Sequence, residues 1–401
     1  MEPSIARLYP IGSTPQSTRL HFLDVLRGIA ALAVVLFHFY SVAVSPIHKE
    51  LASSLPAIVD WICEHLYLGV ETFFVLSGFV IAFSMNADTH HLRYALNFIL
   101  RRSLRLDPLY WTTMAMMLAF YLWQAPAKWH DFYLLYGGWK GLAANMFYLQ
   151  NLSLYPAASV LDVAWTLCLE VQFYLAYLLV LVAGHYLGVL TKRRGKTVKQ
   201  VFVVLASSSV GVWSLVNWMR RPGNDFDHRA WMFFLGVALY FVVFGDVALR
   251  AALARLLVFA GLLGFAAWFI YRRDPEGIAT LITATAIFTL GITGRLSTFF
   301  ACRPLFFAGK ISYSIYLVHL VVGGNLLAIL TKWTAGSPAR AWCAWALAIT
   351  STLLSATLLH YLIEAPSNRL SQRLKPGKRT VSFAAAISDA APVPEPANLA
   401  R

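Results

Sequence analysis

The stretch LDVLRGIAALAVVLFH, Leu23 to His38, carries Asp24, Arg27 and His38 through an otherwise apolar run. A neutral imidazole takes a proton readily near physiological pH, so His38 is the first candidate for a general base. On a helix at ~100° per residue, Asp24 and Arg27 stand about 60° apart, and the step from Arg27 to His38 returns to within about 20° of the same face. At ~1.5 Å per residue, His38 lies about 16 Å further along than Arg27, so the two mark different depths of one polar path and cannot touch. Ionisable groups at membrane depth are costly and normally face protein or water, which favours a functional cavity. For Asp24 and Arg27 a packing pair near one surface is the competing reading.

Further stretches add to the set. In LGVETFFVLSGF, Leu68 to Phe79, Glu71 could orient or stabilise a histidine, while Ser77 and Gly78 read as close helix packing. In RRSLRLDPLYW, Arg101 to Trp111, Arg102 and Arg105 share a helical face with Arg101 beside them. Such a cluster suits a phosphate-rich ligand, and a positive-inside anchor explains it as readily. AWTLCLEVQFYL, Ala164 to Leu175, supplies Trp165, Glu170 and Gln172; Glu170 either binds acceptor hydroxyls or pairs with an arginine. In GKISYSIYLVH, Gly309 to His319, the nearby Tyr313 and Tyr316 make His319 a structural histidine before a second base. Glu364 and Pro366 in IEAP read as the end of the last span, with the proline as stop.

These residues need elements that can hold them inside a bilayer. Of 401 residues, 59% are hydrophobic and 13% charged, an apolar share above that of a soluble domain. The expected fold is all-α and polytopic, with about ten transmembrane helices around an interior polar cavity. The spans fall near 22–44, 57–84, 107–125, 161–190, 200–219, 230–248, 253–271, 278–294, 312–331 and 342–363. A net charge of +14 could suggest nucleic acid, but the basic residues sit in short clusters between apolar segments, which is a topology signal. With the N-terminus inside, 22 of the 33 lysines and arginines fall on the cytoplasmic side and 10 outside, with Arg27 inside a helix. Both termini are therefore expected to be cytoplasmic.

The expected organisation is a cytoplasmic segment over 1–20, a transmembrane domain over 21–364 and a disordered cytoplasmic tail over 365–401, ending APVPEPANLAR. The first twenty residues lack a cleavable signal pattern, so the first span should remain as an anchor. Cys63, Cys168, Cys302 and Cys343 show no CxxC or ligand spacing and read as small apolar residues; no metal site is expected. No internal repeat is evident, which weakens a transporter built from paired halves.

In this order the stretches resemble the membrane-bound acyltransferase family 3, whose members O-acylate sugars of surface polysaccharides, lipid-linked glycans or macrolides. The likeness runs over about residues 19 to 369. It implies that Arg27 and His38 match the family's paired Arg and His, with His38 as general base, and that Arg102 and Arg105 match its RxxR element on the acyl-donor side. Glu71, Trp165 and Glu170 occupy matching motif positions. The family often has WSLxxEEQFYL, whereas Thr166 and Val171 stand here for the Ser and the second Glu. No extension large enough for the esterase-like domain of some relatives is visible, so the chain looks like a stand-alone membrane enzyme.

The resemblance implies an O-acyltransferase of a bacterial inner membrane, moving an acyl group, most often acetyl, from cytoplasmic acyl-CoA to a hydroxyl of a glycan or related acceptor. In this reading His38, Arg27 and Glu71 are catalytic, Arg101, Arg102 and Arg105 bind the donor, and Trp165 and Glu170 bind the acceptor. Acyl-CoA is a co-substrate, and no permanently bound cofactor and no nucleic-acid partner are expected. A transporter or exporter of glycans or small organic acids is the alternative, and an assembly subunit a third reading.

Overall fold

A computed structural model describes residues 21–85, 90–124, 126, 136–152, 158–191, 195–244, 251–296 and 302–374; within 251–260 only the backbone course is described. The expected segment 1–20 and residues 375–401 of the expected tail lie outside the described residues. Helices α1 (His21–Tyr40), α2 (His48–Ala52), α3 (Ala57–Glu64), α4 (Gly69–Ser84), α5 (Leu92–Gln124) and α6 (Gly138–Met146) form the first half of the chain. They are followed by α7 (Ala164–Leu190), α8 (Gly195–Arg220), α9 (Phe226–Phe244), α10 (Ala251–Arg272) and α11 (Pro275–Ile292). Then come α12 (Arg303–Lys310), α13 (Ser312–His319), α14 (Asn325–Thr334), α15 (Pro338–Leu359) and α16 (Ala365–Arg373).

The protein is an all-α polytopic membrane protein, with no strand among the described residues. Eight helical stretches there are long and apolar enough to cross a membrane. The other two expected spans, 107–125 and 253–271, coincide with α5 and α10. The 33 residues of α5 begin well before the expected span, so RRSLRLDPLYW lies within one continuous helix and not at its mouth.

Close helix crossings set the frame. Gly78 of α4 and Gly236 of α9 face each other's helices so closely that a methyl group on either would strike the partner's backbone, at Phe233 and Val75 respectively. Gly28 of α1 meets Gly309 of α12 in the same way. Small residues at such crossings let backbones approach and are the main source of packing where lipid removes the hydrophobic drive between helices.

Two π-helical turns interrupt the C-terminal hairpin, Leu320–Gly324 after His319 and His360–Glu364 before α16. The second bears on the expected tail boundary. The widened turn lies immediately before Pro366, whose ring would crowd the carbonyl four residues back in a regular α-helix, and the chain continues as helix to Arg373. The helical domain therefore runs past Glu364, and Pro366 does not end it. α16 packs against α5, where Ser371 Oγ donates to the Arg101 carbonyl at 2.8 Å.

Candidate active site

His38 lies on the last turn of α1, partly buried. Its Nδ1–H donates to the Val34 carbonyl at 2.8 Å, the i−4 group of its own helix. That bond assigns the tautomer: Nε2 carries the lone pair, and it has no protein partner among the described residues. Asp162, exposed just before α7, is near enough for its charge to act on His38. The ring of His319 lies 4.9 Å from that of His38, centroid to centroid, at 60°.

Among the described residues a cavity of about 50 Å³, its wall mainly apolar, opens between α1, α4, α7 and α13. Arg27, Ser77, Thr166, Glu170, Ser312 and Tyr316 give it its polar groups, and Val70, Phe73 and Phe74 part of its apolar wall. Arg27 Nε and Ser312 Oγ are buried against this space without a hydrogen-bond partner. A guanidinium and a hydroxyl left unpaired beside a cavity are suited to receive a polar ligand. Glu170 takes hydrogen bonds from Ser77 Oγ, at 3.0 Å, and from the Tyr174 hydroxyl. Ser77 is thus a wall group of the cavity, beyond the packing role its spacing suggests.

The arginines of α5 reach the same region. Arg102 stacks over the rings of Tyr174, at 5.0 Å, and Phe98, at 5.4 Å, and its charge interacts with those of Arg105, Glu170 and Arg27. Arg105 has no hydrogen bond or ion pair with the described residues. Arg27, Arg102 and Arg105 therefore form a positive cluster with Glu170 as the acid set among them, and such a cluster attracts an anionic ligand. Arg101 donates its Nε–H to the Asn97 carbonyl at 3.4 Å, and its guanidinium lies 6.0 Å from the same Phe98 ring.

Glu71 stands apart from His38. It is 1% exposed and accepts a hydrogen bond at 2.8 Å from Nη1 of Arg229, at the start of α9. Nη2 of the same guanidinium donates to Asn224 Oδ1 at 2.8 Å and Glu276 Oε1 at 3.3 Å, and Nε to the Gly223 carbonyl at 3.0 Å. The faces of Trp165 and Trp218 lie 5.2 and 5.0 Å from it. Trp165 therefore belongs with Glu71 and Arg229, whereas Glu170 belongs with the cavity. Arg229 reads from sequence as one of the outside loop charges; it is a buried helix residue instead.

Tyr316 joins the two depths. Its hydroxyl bonds to Thr166 Oγ1 at 2.7 Å and donates to the Val163 carbonyl at 3.1 Å, and its ring lies 5.9 Å from that of His319. Glu364 is buried, taking hydrogen bonds from Ser314 Oγ at 2.6 Å and His360 Nδ1 at 2.9 Å. Among the described residues His48, Asp60 and Glu64 bring ligand-type atoms within 4.8 Å of one another. Hydrogen bonds already engage them: His48 Nδ1 with the Tyr40 carbonyl, Asp60 with the Tyr40 hydroxyl and Glu64 with Ser41 and Val42, so the group clasps the end of α1 to α3.

A family model described as an acyltransferase domain matches residues 20–361, nearly the whole of the helical region just described. The chain belongs to this acyltransferase 3 family. As a family member it is similar to the O-acetyltransferase OatA of Staphylococcus aureus, with 24% identity over 328 residues, 74% of this chain and 49% of OatA. It is also similar to YrhL of Bacillus subtilis, named provisionally as a peptidoglycan O-acetyltransferase, with 24% identity over 336 residues, 75% of this chain and 48% of YrhL. The chain spans about half the length of these curated relatives. No solved structure gives a significant match.

Proposed function

We propose that this acyltransferase moves an acyl group, acetyl by the names of its relatives, from cytoplasmic acyl-CoA to a hydroxyl of a carbohydrate or related acceptor. The observation that carries the reading is His38: its Nδ1–H is committed to Val34, so Nε2 is a free base on the helix that also brings Arg27 to the cavity. The acceptor hydroxyl loses its proton to His38 Nε2 as its oxygen attacks the thioester carbonyl. Arg102 and Arg105 hold the phosphates of the donor, with Arg101 at the rim, and Arg27 lies where the acyl arm would pass. Glu170 and Ser77 provide polar contacts in the cavity. Glu71 acts at one remove, through Arg229 and Trp165. With its termini on the cytoplasmic face of a bacterial inner membrane, the chain takes its donor from that side.

The test is release of CoA thiol by the full chain in proteoliposomes given acetyl-CoA and surface-glycan acceptors. Wild type should release thiol only when acceptor is present; His38→Ala at equal membrane abundance should lose at least about a hundredfold in rate. Arg102→Ala should chiefly raise the KM for acetyl-CoA. A wild-type rate from His38→Ala would overturn the general-base assignment, and glycan transport without thiol release would replace the reading with the exporter.

A further inference from the structure

His319 is fully buried at the C-terminal end of α13. Its Nδ1–H donates to the Tyr316 carbonyl at 2.7 Å, which leaves the lone pair on Nε2, and that atom is buried with no hydrogen-bond partner. A buried acceptor without a donor costs on the order of 1–3 kcal/mol, a cost that structures rarely carry without use. The π-helical turn Leu320–Gly324 begins at the next residue; π turns inside helices are frequent at functional sites. Gly323 of that turn has no room for a side chain, with Phe39 and the Thr352 hydroxyl against it, so the turn is wedged between α1 and α15.

The surroundings narrow the source of a donor for Nε2. From α1, His38 lies 4.9 Å away and the ring of Phe39 6.2 Å, centroid to centroid. From its own helix Tyr316 presents a hydroxyl that donates to the Val163 carbonyl and is paired with Thr166 Oγ1, with the carboxylates of Glu170 and Glu71 beyond it. Asp162, ahead of α7, acts on His38. From α15, Thr352 stands against the π turn. Within this set, His38 is the group that acquires a new N–H during turnover.

We propose that His319 is a positioning residue for the proton: its Nε2 lone pair receives the hydrogen bond, or the proton itself, that His38 gains from the acceptor. The inference rests on the acyl-transfer reading above. In the step, the acceptor O–H bond breaks and its proton goes to the histidine pair. The new O–C bond forms, the C–S bond breaks with its electron pair on sulfur, and the proton passes from the pair to the thiolate to give CoA thiol. Atoms and charge balance without another reactant. The resting enzyme then carries an unpaired acceptor that is satisfied only when His38 is protonated, which favours the reacting state over the ground state.

The test compares His319→Asn with His319→Gln in the full chain. Asn keeps a donor for the Tyr316 carbonyl and removes the far acceptor; Gln extends an amide oxygen towards the position of Nε2. For His319→Asn we expect a kcat loss of about thirtyfold, KM values within about twofold, unchanged membrane abundance, and an acid limb of the pH–rate profile moved to lower pH, because protonated His38 has lost its acceptor. His319→Gln should recover part of the rate and of the limb. An unmoved acid limb with wild-type kcat, or a rate loss that only follows lost abundance, would overturn the proposal. Histidine-selective ¹⁵N NMR of the protein in nanodiscs reads the same coupling without turnover. The His38 midpoint should fall in His319→Asn, and an unchanged midpoint rejects the partnership even if the transferred group proves not to come from CoA. His38→Ala separates the two readings, since it tests the base with His319 intact.

Discussion

At the scale of single residues, the most heavily committed side chain is Arg229. Four acceptors and two indole faces hold one guanidinium that is 5% exposed, joining α4, α7, α8 and α11 to α9. Removing it leaves Glu71 buried and uncompensated. Arg229→Met should therefore lower unfolding stability in detergent by about 3–5 kcal/mol, read as an earlier thermal midpoint. Arg229→Lys should recover little, because an ammonium cannot supply the same planar fork. Combining Arg229→Met with Glu71→Leu should restore part of the loss, and a double variant no more stable than Arg229→Met would reject the pairing as its cause. His38, Arg27, Arg102 and Glu170 were legible in the sequence because a charge or imidazole in an apolar run is conspicuous. Arg229 was not: it follows RRPGNDFDH, and hydropathy cannot separate the first turn of a helix from a polar loop. Tyr316 was legible as a neighbour of His319, but the bond of its hydroxyl to Thr166 was not, since spacing along the chain says nothing of a partner 150 residues away.

At the scale of elements, spacing revealed the helices, and glycines decide how closely they cross. Gly236→Leu, or Gly78→Val, should remove most folded protein from membranes by forcing α4 and α9 apart. Gly261→Ala is the control: among the described residues nothing lies within 4 Å of the added methyl, so abundance should hold or rise slightly. Fluorescence-detected size exclusion of the three variants reads both outcomes, and a monodisperse wild-type peak from Gly236→Leu would reject the tight crossing. The π turns were not legible, because a one-residue widening leaves the apolar pattern of a helix almost intact. This is why Pro366 read as a stop and why the short arm α16 against α5 was expected as tail.

At the scale of the whole molecule, the cavity lined by Arg27 and the imidazole pair of His38 and His319 lie at different depths along α1. The proposed orientation places the first towards the cytoplasm. Arg340→Cys and Arg369→Cys, both exposed and near opposite ends of the long helical stretch Pro338–Arg373, test it. With the four native cysteines replaced, since Cys343 is itself exposed, an impermeant maleimide on intact cells should label the cysteine at 340 directly and that at 369 only after permeabilisation; the reverse pattern would invert the protein in the membrane.

The run between Arg27 and His38 is one uninterrupted stretch of α1. Because each residue turns a helix by ~100° and advances it ~1.5 Å, a single inserted or deleted residue there would swing the imidazole a quarter-turn or more out of register with its arginine. Substitutions that keep the helix leave that register untouched. The segment is thus a ruler, strict in its length, and apart from Gly28, where a side chain would strike the backbone of α12, genetic variation should reach it through exchanges and not through gaps.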